Sequence, residues 1–199
     1  WWGRLARRSS PPAPPPYDSV LNPSEASRTY STTLLNDRPG YRYATSKLDS
    51  AEGWLAGTNN NAQWIQINLG QIHNVAGVVL QKRERHVNEY VTTFTVKICA
   101  DAQGSTWVNV DNAASFNGPD STMSANARAY AWFTHPVQAW LIRLDPKTWY
   151  GRVTMRVAGR CLLTLALTVA AVFGKAQKNY FSIKGTAPKY HDFKPCAKN

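Results

Sequence analysis

The side chains able to do covalent or acid–base chemistry are present in this 199-residue chain, but they are scattered. Its three cysteines, Cys99, Cys161 and Cys196, form no C-x-x-C pair, and its four histidines, His73, His86, His135 and His191, are isolated. A structural zinc site needs such ligands at short paired spacings, so none is expected. There is no G-x-S-x-G elbow to expose a nucleophilic serine, and no G-x-x-x-x-G-K-[ST] loop to cradle phosphates. The twelve acidic residues fall among turn-type residues with no obvious acid/base pair and no Asp cluster suited to calcium. No catalytic residue, cofactor or metal is therefore expected, and the chain reads as a non-enzyme.

The elements that would position any binding group are strands. From about residue 22 to 157 the apolar pattern has a period of two. Trp64–Leu69, Val91–Ile98, Thr106–Val110 and Trp140–Leu144 alternate or are rich in β-branched residues, and Val75–Leu80 is a short apolar run. Asn59–Asn61, Asp101–Gly104, Asn117–Asp120 and Asp145–Pro146 supply turns between them. Many short strands without a helical period predict a sandwich or jelly roll.

The flanks differ. The formal net charge is +11, and residues 154–199 hold eight of the 23 basic residues against one acid. The middle of the chain is nearly neutral, which argues against a nucleic-acid-binding fold, whose basic stripe should lie on the folded body. Five of residues 11–16 are proline. Residues 1–21 are thus a basic Pro-rich arm, either a linker or the end of an organellar transit segment. Residues 161–174, CLLTLALTVAAVFG, carry no charge between Arg160 and Lys175. A helix of that length is about 21 Å long, short of the roughly 30 Å bilayer core. A single thinned membrane span with snorkelling Arg160 and Lys175, a helix buried against protein, and a signal-like segment are the open readings. Residues 175–199 are a basic tail.

In the middle, the residues become specific. Ser46–Ser50, Gly53–Trp54 and Gln63–Gly70 are followed by Val75–Val78 with Gln81, then Tyr90–Val96 and Gly104–Trp107. Phe116–Gly118 with Asp120, Pro136–Ala139, Ile142–Leu144, Pro146, Trp149, Met155–Val157 and Cys161 complete the order. Over about residues 24–161 this resembles the discoidin, or coagulation-factor type C (F5/8 type C), domain family. The resemblance implies an all-β, eight-stranded jelly-roll β-sandwich over residues 22–160, here followed by a short hydrophobic C-terminal helix. It also implies a disulfide from a cysteine near the domain start to the terminal cysteine. Cys161 matches the latter, but no cysteine precedes Cys99. Ala158, Lys82 and Pro119 depart from the family's Glu, Gly and Asn.

Domains of this kind bind glycans, phospholipid headgroups or proteins through loops at one end of the sandwich. Two segments match that description. The first, residues 32–47, carries Arg38, Tyr41, Arg42 and Tyr43. The second, residues 82–89, reads KRERHVNE and carries Arg83, Arg85 and His86. Aromatic rings stack on sugars or enter an interface, and Arg makes bidentate bonds to carboxylate or phosphate. Trp54, Trp64, Trp107 and Trp149 read as core or core-edge packing. Arg143 and Arg156 read as partners of Asp49 or Asp120 in ion pairs. Trp132 and Trp140 fall outside the strongest motif positions, and an exposed Trp would mark a partner surface. The expected function is a membrane-tethered recognition module. The alternative is an accessory subunit of a larger membrane complex that uses arm, helix and tail as contacts. The missing disulfide, the lack of a usable sequon and the Arg/Ser-rich start tilt the expected location from the cell surface towards an organelle.

Overall fold

The computed structural model describes residues 18–162. The Pro-rich arm up to residue 17, most of the apolar run, and the basic tail lie outside the described residues. Nine strands make up the described sheet: β1 (Asp18–Leu21), β2 (Arg28–Tyr30), β3 (Trp54–Leu55), β4 (Ile65–Gln81), β5 (Tyr90–Cys99), β6 (Val108–Asn109), β7 (Phe116–Asn117), β8 (Ala129–Tyr150) and β9 (Thr154–Leu162). Their main order is β1-β9-β4-β8-β5-β6, every pair antiparallel.

Two strands belong to both layers of the sandwich. β4 pairs with β8 through Ile65–Asn68, then slips register before His73 and again between Val75 and Gly77. A slip of this kind is a β-bulge, which bends and twists a strand. The first part of β4 thereby joins β2, β5 and the second half of β8 in one layer. Its second part joins β1, β9 and the first half of β8 in the other. The sequence pattern split β4 into two strands because residues 70–72, at the bend, are exposed and break the alternation. Asp145–Pro146 is not a turn as expected. These residues continue β8, where Asp145 pairs with Thr95 and Pro146 with Phe94. Proline fits there because the β5 register slips beside it, so no ladder bond needs its missing N–H.

Between the layers lie Ile65, Ile67, Val78, Leu80, Phe94, Val96, Ile142, Leu144, Met155 and Val157, all fully buried. Among the described residues Trp54 is the largest fully buried side chain. Its indole Nε1 donates to the Thr32 carbonyl at 2.8 Å, and its ring stacks on Tyr30. Burying such a ring removes 150–250 Å² from water, about 4–6 kcal/mol at ~25 cal/mol/Å².

The sheet extends beyond the expected domain bounds at both ends. Asp18 pairs with Leu162 and Ser19 with Cys161. Residues 18–21 are therefore strand rather than arm. The first two residues of the apolar run, Cys161 and Leu162, are strand rather than helix. The remainder of that run, with its expected span, lies outside the described residues. Ser19 faces Cys161 with its hydroxyl 2.9 Å from the sulfur. Among the described residues no helix is long and apolar enough to cross a membrane.

Candidate functional site

Gln81 ends β4, Tyr90 begins β5, Ala129 begins β8 and Thr154 begins β9, so the loops at residues 43–53, 82–89 and 118–128 share one end of the sandwich. One side chain ties them together. Arg156 is fully buried, and its guanidinium donates to the carbonyls of Lys82, Ser50 and Ala125, each at 2.7 Å, and to Asn126 Oδ1 at 2.9 Å. Burial draws its pKa below the ordinary arginine value, while Glu84 and Asp49 oppose that shift. The expected ion pair with Asp49 or Asp120 is thus replaced by carbonyl ligation. Strand geometry explains this, because residue 156 points outward from β9 into the bases of three loops whose carbonyls have no ladder partner. Asp49 instead pairs with Arg128 at 2.9 Å.

The first loop is stapled at its base. Glu25 accepts the backbone N–H groups of Ser46 and Lys47 at 2.8–3.0 Å, and Asn22 Oδ1 accepts that of Leu48 at 3.2 Å. Inside the loop, Asp37 Oδ2 accepts the Tyr43 N–H at 3.1 Å. The tip between these bonds is strained, with positive φ at Leu35 (61°), Asn36 (56°) and Arg42 (37°). Left-handed backbone costs a β-carbon residue about 1–2 kcal/mol. Leu35 combines that strain with 66% exposure, and Tyr41 is 53% exposed.

The second loop is fixed by Arg83, which is buried rather than presented. Its guanidinium meets Glu52 at 2.8 Å and Glu89 at 3.0 Å, and lies 5.2 Å from the Tyr43 ring centre. Arg42 sits 5.7 Å from the same ring. Arg85 reaches Glu52 at 3.3 Å while its side chain remains 69% exposed. The structure therefore brings Arg42, Tyr43, Arg83 and Arg85 together. Arg38 and Tyr41 are exposed on the same loop as Tyr43, and His86 is exposed in the turn closed by Glu89 N–H to the His86 carbonyl. Arg83 and Tyr43 position the two loops; Arg38, Tyr41, Arg42, Arg85 and His86 face solvent.

Sequence reasoning missed Leu35 and Val87, the aliphatic residues left exposed on these two loops. The only signal was a large aliphatic side chain inside a segment otherwise composed of turn residues. It also missed Glu52, which anchors Arg83 and Arg85 together.

Away from this end, Arg143 is also not ion-paired with Asp49 or Asp120. Its guanidinium carbon lies 4.3 Å from the Trp64 ring centre and 4.0 Å from that of Trp107, and it donates to Gln66 Oε1 at 2.8 Å. Trp64 and Trp107 are accordingly half-buried on an outer face, flanking a cation. Among the described residues no group of three or more His, Cys, Asp or Glu could hold a metal ion.

Comparison with known proteins accounts for this architecture. Lactadherin of Bos taurus is 30% identical over 138 residues, covering 66% of this chain and 32% of its own length. Coagulation factor V of Bos taurus is 30% identical over 107 residues, 52% of this chain and 5% of the relative. The chain thus spans a third or less of these relatives. Among solved structures, discoidin II of Dictyostelium discoideum superposes with a TM-score of 0.52 at 18% identity, covering 68% of this chain and 54% of that one. A family 32 carbohydrate-binding module of C. perfringens NanJ, in complex with galactose, gives 0.54 at 14% identity over 72% of this chain and 98% of that one. The model of the F5/8 type C domain matches residues 26–158. Two layers sharing two bent strands, with loops gathered at one end, are therefore this chain's version of a known module: it belongs to the F5/8 type C, or discoidin, domain family.

Proposed function

We propose that the chain is a non-catalytic recognition module that holds an anionic lipid surface at its loop end. The observation that carries this is the pairing of exposed aliphatic and aromatic tips with exposed arginines. Leu35, Tyr41 and Val87 are 66%, 53% and 45% exposed on the two loops that also carry Arg38, Arg42 and Arg85. An aliphatic side chain gains nothing by stacking on a sugar's hydroxyls, whereas it gains about 0.8 kcal/mol per methylene on entering an acyl boundary. Arginines beside it would meet phosphate and carboxylate headgroups, each worth about 1 kcal/mol near an anionic leaflet. The Arg83–Glu52–Glu89 network and Arg156 hold the loop bases still, so little ordering entropy is lost on docking. The position is a loop carried on a stiff scaffold, where binding groups concentrate.

The galactose-bound relative in fold supplies the competing ligand, a glycan stacked on Tyr41 or Tyr43. Sedimentation with phosphatidylserine-containing and pure phosphatidylcholine vesicles, run beside a glycan array, separates the two. Binding to the anionic vesicles alone is expected, falling about five-fold for each of Arg38→Ala, Arg42→Ala and Arg85→Ala and weakening with salt. Array binding with no vesicle binding at low salt would replace the lipid by a sugar. The accessory-subunit alternative rests on arm, apolar run and tail. Its check is whether the chain migrates in a stable large complex after mild detergent extraction.

A further inference from the structure

The turn that joins β8 to β9, Tyr150-Gly151-Arg152, reaches the loop end but belongs to neither of the two loops that carry the exposed tips. Val91 and Trp149 oppose each other across β5 and β8 and pack on the core, so the adjacent pair, Tyr90 and Tyr150, points to the outer face. Tyr150 stacks on Tyr90, with ring centres 5.8 Å apart and planes 21° apart. Tyr90 is buried, and the Lys82 ammonium lies 4.3 Å from its ring centre. Tyr150 is 58% exposed, more than either Tyr41 or Val87. The turn has little freedom to move. Gly151 has a φ of 66°, and a β-carbon there would sit 2.8 Å from the Asn88 carbonyl oxygen and 3.2 Å from Glu89 Cγ, so the turn is packed hard against the second loop. Asn59 holds it as well. Its Nδ2 donates to the Gly151 carbonyl at 3.3 Å, and its Oδ1 accepts the Val153 N–H at 3.0 Å.

Arg152 is half-buried, and its charge is not met. Its Nε is buried with no hydrogen-bond partner, and among the described residues no carboxylate pairs with its guanidinium. Its neighbours at this end are neutralised. Arg83 lies between Glu52 and Glu89, Arg85 reaches Glu52, and Arg128 reaches Asp49. Glu89, which packs against Gly151, is thus already engaged. A guanidinium partly withdrawn from water and left unpaired carries a desolvation cost that a phosphate or carboxylate would relieve with two parallel bonds. The ring beside it decides which kind of anion fits. Tyrosine has an apolar body and a polar tip, the combination that settles at headgroup level in a bilayer. A free phosphate ion makes no use of that ring, whereas a lipid phosphate brings glycerol and acyl carbons to it.

We propose that the Tyr150–Arg152 turn is a third contact of this chain with an anionic lipid surface, Arg152 taking a lipid phosphate and Tyr150 lying at headgroup level beside it. This rests on the reading of the loop end as a lipid-binding surface. It gives that surface three points of contact, with Leu35 and Tyr41 on the first loop, Val87 on the second and Tyr150 on the turn, and three points fix the tilt of the sandwich on a plane where two leave it free to rock. The test sediments the full chain with vesicles of phosphatidylserine and phosphatidylcholine at low salt. Arg152→Gln replaces a side chain that has no partner in the free protein, so Tm should stay within about 2 °C of the wild type. Its vesicle affinity should fall about five-fold. Tyr150→Ser should fall by a similar factor, while Tyr150→Phe, which keeps the stack on Tyr90, should bind nearly as the wild type does. If Arg152→Gln and Tyr150→Ser both bind like the wild type while Arg38→Ala and Arg85→Ala weaken, the third contact is overturned and the loop-end reading stands. No vesicle binding by the wild type overturns both. A drop in Tm that tracks the loss of affinity in Arg152→Gln would make Arg152 a support of the turn. Displacement of the bound chain by inorganic phosphate at constant ionic strength would assign Arg152 to a free anion. A glycan-array signal lost in Tyr150→Ser, with vesicle binding unchanged, would assign the ring to a sugar. Each of these three results also overturns the proposal.

Discussion

Arg156→Met keeps the length and apolar stem of the side chain and removes the guanidinium that joins three loops. Four hydrogen bonds go with it, three to carbonyls and one to the Asn126 amide oxygen. Hydrogen bonds from a charged donor are worth about 1.5–3 kcal/mol each, and buried acceptors left without a donor cost about 1–3 kcal/mol. Simple addition overshoots, because the loops relax and admit water. The loss from breaking a buried charged group's interactions, about 3–5 kcal/mol, is the appropriate scale. For a folded body of this size each kcal/mol moves Tm by roughly 3–5 °C, so a fall of about 10–20 °C is expected. Thermal unfolding by circular dichroism measures it. Hydrogen exchange should show residues 47–53, 82–89 and 118–128 loosening before the central ladder of β4 and β8. A fall below about 3 °C, or loosening spread evenly over the sheet, would refute the role of Arg156 as the tie of the loop end. Arg156→Lys should recover only part of the loss, since an ammonium cannot fan four donors in one plane.

Three further outcomes follow from single positions. Gly77→Ala drives a β-carbon into the Ala131 carbonyl oxygen, which is backbone and cannot swing away; a loss of about 1–3 kcal/mol in urea unfolding is expected. Trp54→Phe keeps most of the ring but strips the Thr32 carbonyl of its donor and leaves a void, so about 2–4 kcal/mol should be lost, with the 31–47 loop exchanging faster than in the wild type. The Asp101 carboxyl is held down to about 2, first by the Cys99 thiol and then by the Ser105 backbone N–H. Its folded value lies below the unfolded one, so its stabilisation is present above pH ~4 and is lost as pH falls towards 2. Carboxyl-carbon titration should give a midpoint near 2, and Asp101→Asn should flatten that stretch of the stability profile; a midpoint near the ordinary 3.9 would contradict the bond.

Alternation of apolar residues in Trp64–Leu69 and Val91–Ile98 made the strands legible, because each strand has one face on the core and one outside it. The bend in β4 was not legible as continuity: a strand that changes layers exposes residues at the corner, which in sequence looks like a loop. The loop end was legible in part. Arg42, Tyr43, Arg83 and Arg85 do converge, since arginines and tyrosines clustered between strands have few other places to go. Which of them would be buried was hidden, because Glu52 and Glu89 approach Arg83 only through the fold. The same holds for Arg143 and Arg156. Sequence offers carboxylates as obvious partners for an arginine, while the structure supplies two tryptophan faces for one and a ring of carbonyls for the other.

The pairing of Asp18 with Leu162 brings the described chain in and out side by side. Eight residue-to-residue steps along β9 separate that doorway from Thr154 at the loop end, about 27 Å at the rise of an extended strand. The loop end and the corner where the described strands start and stop therefore lie at opposite ends of β9, so whatever adjoins Asp18 and Leu162 is joined to the sandwich away from the Arg156 tie.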